Sequence, residues 1–476
     1  ILAQGSFGAS LVQGPRRWSL AVAMYLLRAL QQCPCYPCSA LPRRAPEFST
    51  VAAVSKPPPS VSAKSLAVVA ASLPLVAKAG TDFTGHFYER MFKQHPELLN
   101  TFNISNQKRG VQKAALFAAV ARSATALVTG GELPMEMLEG ICQKHCALHV
   151  VPAQYDVVGE HILGTITDLL NPGQTVLDAW GELYTALAGH MIRREEAIYS
   201  EVETRPGGWR GPRTFVVKGK TKMSTNITAF DFVPKDGKPV CDFSPGQYVT
   251  VWVHPSSIEY RQPRHYSLTN APNGTSYSIA VRKVDGGLVS SHMHDHVQVG
   301  DEIELSPPFG NFNLAGAERL WTTEIDAPVV LLSAGVGITP MLSMLHSLED
   351  HMLPHKTGHP IVWLHGARNG DEHAFRSYIT SLAKEHPEEV VRRVWYSHPG
   401  ANDVRGDSNT STYHFEGHMD LTAVKQQLPL ADSRALYFFC GPVPWMQLVA
   451  RQLTEFGVPA ASLNFEAFGP AAKILP

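Results

Sequence analysis

The chain has 476 residues, of which 44% are apolar and 17% charged, and its formal net charge is −1. These proportions exclude both a disordered chain and a membrane-embedded one, and the length suggests about three domains of roughly 150 residues. The near-neutral total hides an asymmetry: residues 1–80 are basic, with Glu47 as their single acid, so the rest of the chain carries an excess of acid. The folded part therefore offers no basic face to nucleic-acid phosphates.

Residues 1–64 are poor in acid and rich in Ala, Ser, Pro and Arg. An organellar transit peptide has this composition, and so would sequence lying upstream of the true start. On the first reading the protein is mitochondrial or plastid, on the second cytoplasmic, and on both the stretch stays outside the fold. The apolar run from Trp18 to Leu30 is interrupted by Arg28 and is too short to span a bilayer, so no stable membrane insertion is expected. Cys33, Cys35 and Cys38 could bind metal or carry lipid, but no matching ligand pair follows. Cys142, Cys146, Cys241 and Cys440 sit in apolar surroundings and read as buried, reduced thiols.

From Ser65 to Glu203 apolar residues recur at helical spacing, in stripes such as Phe83, Phe87, Tyr88, Met91 and Phe92, then Leu116, Phe117, Val120 and Leu127. Asn171-Pro-Gly173 punctuates two of the helices. Residues 65–204 are thus an all-α domain. A Gly/Pro break at Pro206–Pro212 follows, and the period changes to two over Thr214–Lys218, Ile227–Val233, Gln247–Val253, Ser276–Val284 and Glu302–Leu305. Short strands separated by Gly and Pro make residues 205–320 an antiparallel β-barrel. Beyond Ala327, buried strands (PVVLLSA, PIVWLHGA, VRRVWYS, ALYFFCG) alternate with helical segments, the pattern of a doubly wound parallel α/β sheet over residues 321–476. The segments 318–326 and 396–415 look like expanded connections.

The barrel carries Arg264-His265-Tyr266-Ser267 at a strand end, with Tyr248 one strand earlier. An Arg can pair a pyrophosphate bidentately, a Tyr can stack on a flat ring, and a Ser can bond a ring nitrogen. Twenty residues on, Gly286-Gly287-Leu-Val289-Ser290 would open a helix whose backbone N–H groups approach phosphate. In the α/β domain, strand PVVLLSA runs directly into Gly335-Val336-Gly337-Ile338-Thr339-Pro340, and strand ALYFF into Cys440-Gly441-Pro442. Glycines at a strand-to-helix turn allow close approach of a pyrophosphate, and Pro340 suits a first helical turn. The terminal Glu466 and Phe468 bring an aromatic that could cover a flavin. Each tetrapeptide is weak alone, but their order across adjoining folds is specific.

These motifs resemble the ferredoxin–NADP reductase superfamily across about 260 residues, which implies FAD and NADH or NADPH as cofactors. The helical domain resembles the globin of flavohaemoglobins through His86–Phe92, Asn103–Gln107, Gln143–His145, Gln154–His161 and Arg193–Glu195. That resemblance implies a multidomain chain: an all-α globin, an antiparallel β-barrel binding FAD, and an α/β domain binding NAD(P)H. It also implies haem b. His145, His149, His161 and His190 are all helical candidates for the iron ligand; the family motif selects His145, preceded by Lys144, with Tyr155 and Glu195 behind the imidazole. On the opposite side of the haem it places Tyr88 and Gln112 as hydrogen-bond donors to bound gas, Leu116 pressing on the pocket, and Phe102 against the ring.

The implied activity is that of a nitric oxide dioxygenase, converting NO and O2 to nitrate with electrons passed from NAD(P)H through FAD to haem, in a monomer. A haem-based redox or gas sensor, or a reductase of another acceptor, are the alternatives. No clear basic pair selects NADPH over NADH; Arg368, just after a strand, is either a phosphate contact or a solvated loop residue.

Overall fold

The computed structural model describes residues 60–104, 111–314, 327–352, 360–408, 411–469 and 474–475. The basic extension up to residue 59, with its Cys33, Cys35 and Cys38 cluster, and the whole 318–326 segment therefore lie outside the described residues.

Among the described residues, five α-helices build the first layer: α1 (Ala63–Gln94), α2 (Val111–Val128), α3 (Met135–Ala147), α4 (Pro152–Leu170) and α5 (Gln174–Thr204). α1 starts two residues before the boundary read from the sequence, because Ser62 caps it: the Ser62 hydroxyl accepts from the Ser65 N–H at 3.2 Å. Its stretch Ala63–Gly80 is long and apolar enough to cross a membrane by length and composition. Val69, Leu73 and Val76 instead pack into the helical core with Phe83, Phe87, Ile162 and Trp180, and the Trp180 indole donates to Ser72 Oγ at 2.9 Å. α1 bends at Gly80, whose backbone leaves the helical region. Asn171 ends α4 in the left-handed conformation with φ 41°, as its place before Pro-Gly suggests.

The barrel strands are β1 (Arg213–Lys222), β2 (Ile227–Pro234), β3 (Tyr248–Val253), β4 (Gln262–Ser267), β5 (Tyr277–Arg282) and β6 (Glu302–Leu305), with α6 (Leu288–Asp295) before β6. They form an antiparallel six-stranded sheet in the order β4-β3-β6-β1-β2-β5. A bridge between Leu268 and Ile279 joins the two ends of that order and closes the barrel. Inward-facing Phe215, Phe230, Phe232, Val249, Val251, Tyr277 and Ile279 fill it.

The third layer has β7 (Val329–Ala334), α7 (Ile338–Met352), β8 (Ile361–Ala367), α8 (Arg376–Glu385), β9 (Val390–Tyr396), β10 (Phe415–Glu416), β11 (Leu436–Cys440), α9 (Val443–Glu455) and β12 (Leu463–Glu466). The sheet is parallel, in the order β10-β9-β8-β7-β11-β12. The central strands β7 and β11 read as nearly continuous apolar runs because both faces are covered: Val329 and Leu331 meet α7 and α8, while Val330 and Leu332 meet α9. The expanded connection after β9 folds back on its own strand, where the buried Arg392 donates to the carbonyls of Ser411 and Thr412, each at 3.1 Å.

The break at 206–212, expected as a simple linker, is packed down. Trp209 stacks near Phe215 and Tyr277, and Arg210 pairs with Glu196 and Glu203 of α5. One apolar cluster runs from the helical domain (Cys146, Tyr155, Tyr199, Val202) into the barrel (Cys241, Tyr248, Phe309). Hydrogen bonds add to it: Ile104 N–H to Gln262 Oε1 at 3.2 Å, Gln262 Nε2–H to the Phe102 carbonyl at 3.5 Å, Arg261 N–H to Asn100 Oδ1 at 3.0 Å, and Gly310 N–H to Gln143 Oε1 at 3.2 Å.

The two strand-end loops of the third layer touch. A Cβ on Gly337 would lie 2.1 Å from the Cys440 carbonyl oxygen. Gly337→Ala should therefore destabilise the third domain by about 1–3 kcal/mol through overpacking. Calorimetry should show its transition falling while that of the helical domain stays in place; an unchanged thermogram would refute this contact.

Candidate functional site

The best-defined polar cluster of the helical domain lies where α3, α4 and α5 converge. His145 ends α3, Tyr155 lies in the first turn of α4, and Glu195 is in the middle of α5, 4% exposed. His145 Nδ1 lies 2.9 Å from both Glu195 Oε1 and Tyr155 Oη, and the Tyr155 hydroxyl donates to the same Glu195 oxygen at 2.5 Å. Burial and the adjoining carboxylate push the Tyr155 phenol far above its ordinary range, so it stays a neutral donor. The Tyr184 hydroxyl in turn donates to the Tyr155 carbonyl at 2.6 Å. With Nδ1 occupied, Nε2 is the nitrogen of His145 left for a metal.

The other three candidate histidines differ, and His149, expected on a helix, lies instead in the turn that follows α3. His161 is fully buried, with both ring nitrogens lacking a partner, and packs edge-on against His95. His149, at positive φ, packs against Tyr199. His190 is half-buried on α5. None of the three is hydrogen-bonded to a carboxylate among the described residues.

Tyr88 is buried, its ring stacked on Phe92 at 5.6 Å and edge-on to Phe102 at 5.8 Å. Leu116 lines a small apolar cavity of about 20 Å³ with Phe83, Ile162 and Trp180 among others. Gln112 occupies the first turn of α2, and its side chain lies outside the described residues. Lys144, beside His145, lies toward the other two domains: its charge acts on both Glu466 and His265.

In the barrel, Tyr248 and Ser267 are direct cross-strand partners and so share one face of the sheet. The Tyr248 and Ser267 hydroxyls are both buried with no hydrogen-bond partner. Two orphaned buried hydroxyls side by side are costly unless something else satisfies them, and a flavin ring edge would. His265 Nδ1 lies 2.9 Å from Thr250 Oγ1, Arg264 donates to the Pro263 carbonyl at 2.6 Å, and Tyr266 is half-buried beside them. Gly286 turns at φ 66° and Gly287 precedes α6, which Val289 anchors in the core. The Ser290 hydroxyl accepts from Val284 N–H at 3.1 Å, so it locks this turn. The exposed N–H groups at the start of α6 suit a pyrophosphate.

The glycine loop behaves as the third motif requires. Gly335, Val336 and Gly337 form a single 3-10 turn between β7 and α7, Ile338 and Thr339 open α7, and Pro340 falls in its first turn. Thr339 Oγ1 donates to the Val336 carbonyl at 3.0 Å and fastens the turn. Together with Pro442, this loop lines a cleft of about 470 Å³ whose other walls include Asn226 and Arg282 of the barrel side, Arg368, Ser397 and Trp445. Cys440 is fully buried and Gly441 packs against Trp445. Glu466 ends β12 and Phe468 is 46% exposed just beyond it. Glu466 is half-buried, and its desolvation raises the carboxyl to about 7, against the pull of Lys144.

Sequence reasoning missed several of these residues. Gln143 crosses to the barrel, which nothing in its helix predicts. Asn226 and Arg282 reach the cleft only because the barrel rim meets the sheet edge. Trp445, three residues after Gly-Pro at a strand end, carried a readable signal.

Three family models match in succession: Globin over residues 85–191, Oxidoreductase FAD-binding domain over 214–314, and Oxidoreductase NAD-binding domain over 331–451. Their order defines a class, a globin joined to a flavin- and nicotinamide-type oxidoreductase. A flavohaemoglobin from Malassezia yamatoensis, solved with bound FAD and haem, is 25% identical, with 86% of this chain and all of that chain covered at a TM-score of 0.72. The flavohaem-like FAD/NAD-binding domain of a nitric oxide dioxygenase from Vibrio cholerae is 36% identical, over 54% of this chain and 99% of that one, at a TM-score of 0.46. The chain belongs to the flavohaemoglobin family.

The desolvation of Glu466 shows in the pH dependence of stability. Its pKa is higher folded than unfolded, so its contribution to stability is present below the ordinary carboxylate range and is lost as pH rises through about 7. In flavin-free protein the melting temperature of the reductase should decline from pH 5 to 8, and Glu466→Gln should flatten that decline. Identical slopes would mean that this carboxyl titrates normally.

Proposed function

We propose that the protein is a nitric oxide dioxygenase, in which two NO and two O2 react with one NAD(P)H to give two nitrates, NAD(P)+ and a proton. The observation that carries this reading is the His145–Glu195–Tyr155 cluster, in a globin packed against its own reductase.

Bound haem would supply an iron centre for diatomic gases, and bound FAD would convert a two-electron donor into one-electron deliveries. His145 would hold the iron, its Nε2 being the ring nitrogen left free by the Nδ1 contacts with Glu195 and Tyr155. Glu195 keeps the proton on His145 Nδ1 and raises the basicity of the ring, which favours activation of oxygen over its reversible storage. Tyr155 fills a second position on the same carboxylate, so Glu195 cannot swing away. Tyr88, with Gln112, donates to a gas that acquires negative charge, while Leu116 and Phe102 keep the pocket apolar and exclude water. Tyr248 and Ser267 would hold the flavin ring, Arg264 and the start of α6 its pyrophosphate, and Glu466 and Phe468 would cover the ring. The Gly335–Pro340 and Cys440–Pro442 loops bind the nicotinamide nucleotide.

The test is NO consumption by the protein loaded with haem and FAD. NO loss should require both O2 and NAD(P)H and yield one nitrate per NO. Negligible turnover would support a sensor instead, and slow NO loss with fast reduction of an added acceptor would support a relay. Glu195→Gln should lower NO turnover about 10–100-fold and weaken the iron–histidine bond seen by resonance Raman. Tyr88→Phe should speed O2 release, with haem content unchanged. An unaltered O2 dissociation rate would remove Tyr88 from the gas pocket.

A further inference from the structure

We propose that the nucleotide cleft selects the 2′-phosphorylated dinucleotide, NADPH over NADH, with Arg368 as the residue that reads the phosphate. The inference deepens the reading of the Gly335–Pro340 cleft given above and depends on it.

Sheet order sets the path of the ligand. The glycine loop lies at the carboxyl end of β7, with β11 on one side and β8, then β9, on the other. The β11 side holds Cys440–Pro442 and, one strand on, Glu466 at the carboxyl end of β12, which faces the flavin motifs. The nicotinamide half belongs there. The adenosine half must then extend over the carboxyl ends of β8 and β9, and both ends line the cleft, through Gly366, Ala367 and Arg368, and through Trp395 and Ser397.

A carboxylate at such a strand end accepts from a free ribose 2′-hydroxyl and repels a 2′-phosphate, whereas an arginine does the reverse. Neither strand ends in an acid. β8 runs into Arg368, and β9 into Ser397 and His398, whose Nδ1 lies 3.0 Å from Ser397 Oγ.

Arg368 is available. Its side chain is 64% exposed, and Glu372, the nearest carboxylate, lies 3.7 Å away, beyond hydrogen-bond reach. Glu372 is the opposing charge in the cleft, but it is already held by the Asn226 side-chain amide at 3.0 Å. From the barrel side Arg282 lines the same cleft, with no polar partner among the described residues. The ionic lining is therefore two arginines against one acid, with His418 beside them. A phosphate dianion placed between Arg368 and Ser397 gains charge-assisted hydrogen bonds that a hydroxyl does not.

The probes are ADP-ribose and 2′-phospho-ADP-ribose, which differ only in that phosphate, titrated calorimetrically into the full-length, flavin-loaded protein. The phosphorylated ligand should bind at least tenfold tighter, and the gap should shrink as salt is raised. Arg368→Ala, at an exposed position that folding does not need, should abolish the gap while leaving ADP-ribose affinity as it was. Equal wild-type affinities, tighter binding of ADP-ribose, or an Arg368→Ala variant that weakens both ligands alike would overturn the proposal. Failure of both ligands to bind would overturn the cleft assignment together with it. NO consumption that proceeds equally well on NADH and NADPH would sink the selectivity and leave the dioxygenase reading standing.

Discussion

A carboxylate buried at the meeting point of three helices is the constraint on which the rest of the structure turns. Glu195 is removed from water and accepts from two donors, an imidazole that ends α3 and a phenol that begins α4. An unpaired charge at that depth would cost several kcal/mol, so both donors must be in place whenever the domain is folded. The carboxylate thereby locks the relative placement of three helices and the tautomer of His145 in a single arrangement. Each consequence requires the other: the imidazole is oriented because the helices pack, and the helices pack with a charge inside because the imidazole and phenol are there.

The same helix carries the constraint outward. Beyond Glu195, α5 presents Ile198, Tyr199 and Val202, which enter one apolar cluster with Cys241, Tyr248 and Phe309 of the barrel. Glu196 and Glu203 on its exposed side hold Arg210 of the connecting segment, and that arginine also lies over the Tyr199 ring at 4.5 Å. Tyr248, whose hydroxyl is buried without a partner, therefore belongs to the same packed unit as the residues supporting His145. Lys144 then faces Glu466 and His265 because its neighbour His145 is turned inward on the last turn of α3. An oxidoreductase that must pass electrons between two groups benefits from such continuity, because a rigid interface keeps their separation constant.

A second arrangement of buried polar groups shapes the reductase half. Tyr248 and Ser267 face each other across β3 and β4 with neither hydroxyl satisfied. An apolar pair would serve a barrel core better at that register, so the two hydroxyls make sense as a binding surface. The turn into α6 is held independently by the Ser290 hydroxyl, which fits a helix start that must keep its shape whether or not phosphate is present.

The order of the three domains, their secondary structure and the strand-end loops were all legible in the chain, because helical period, strand period and glycine placement are local properties. Gly335-Val-Gly after PVVLLSA could be read as a turn at a sheet edge without knowing where that edge lay. His145 could be preferred over His149, His161 and His190 through its motif, but four histidines at helical spacing are physically alike until the helices are packed, and His149 proved to sit in a turn. Tertiary structure alone brought Glu195 and Tyr155 to the same ring nitrogen, from fifty and ten residues away. It alone turned the 206–212 break into a packed joint, and it alone set Arg368, Arg282 and Glu372 around one cleft. Local sequence specifies which conformations a segment prefers. Which charges meet, and which are left without a partner, depends on long-range burial, and that is decided only when the layers close.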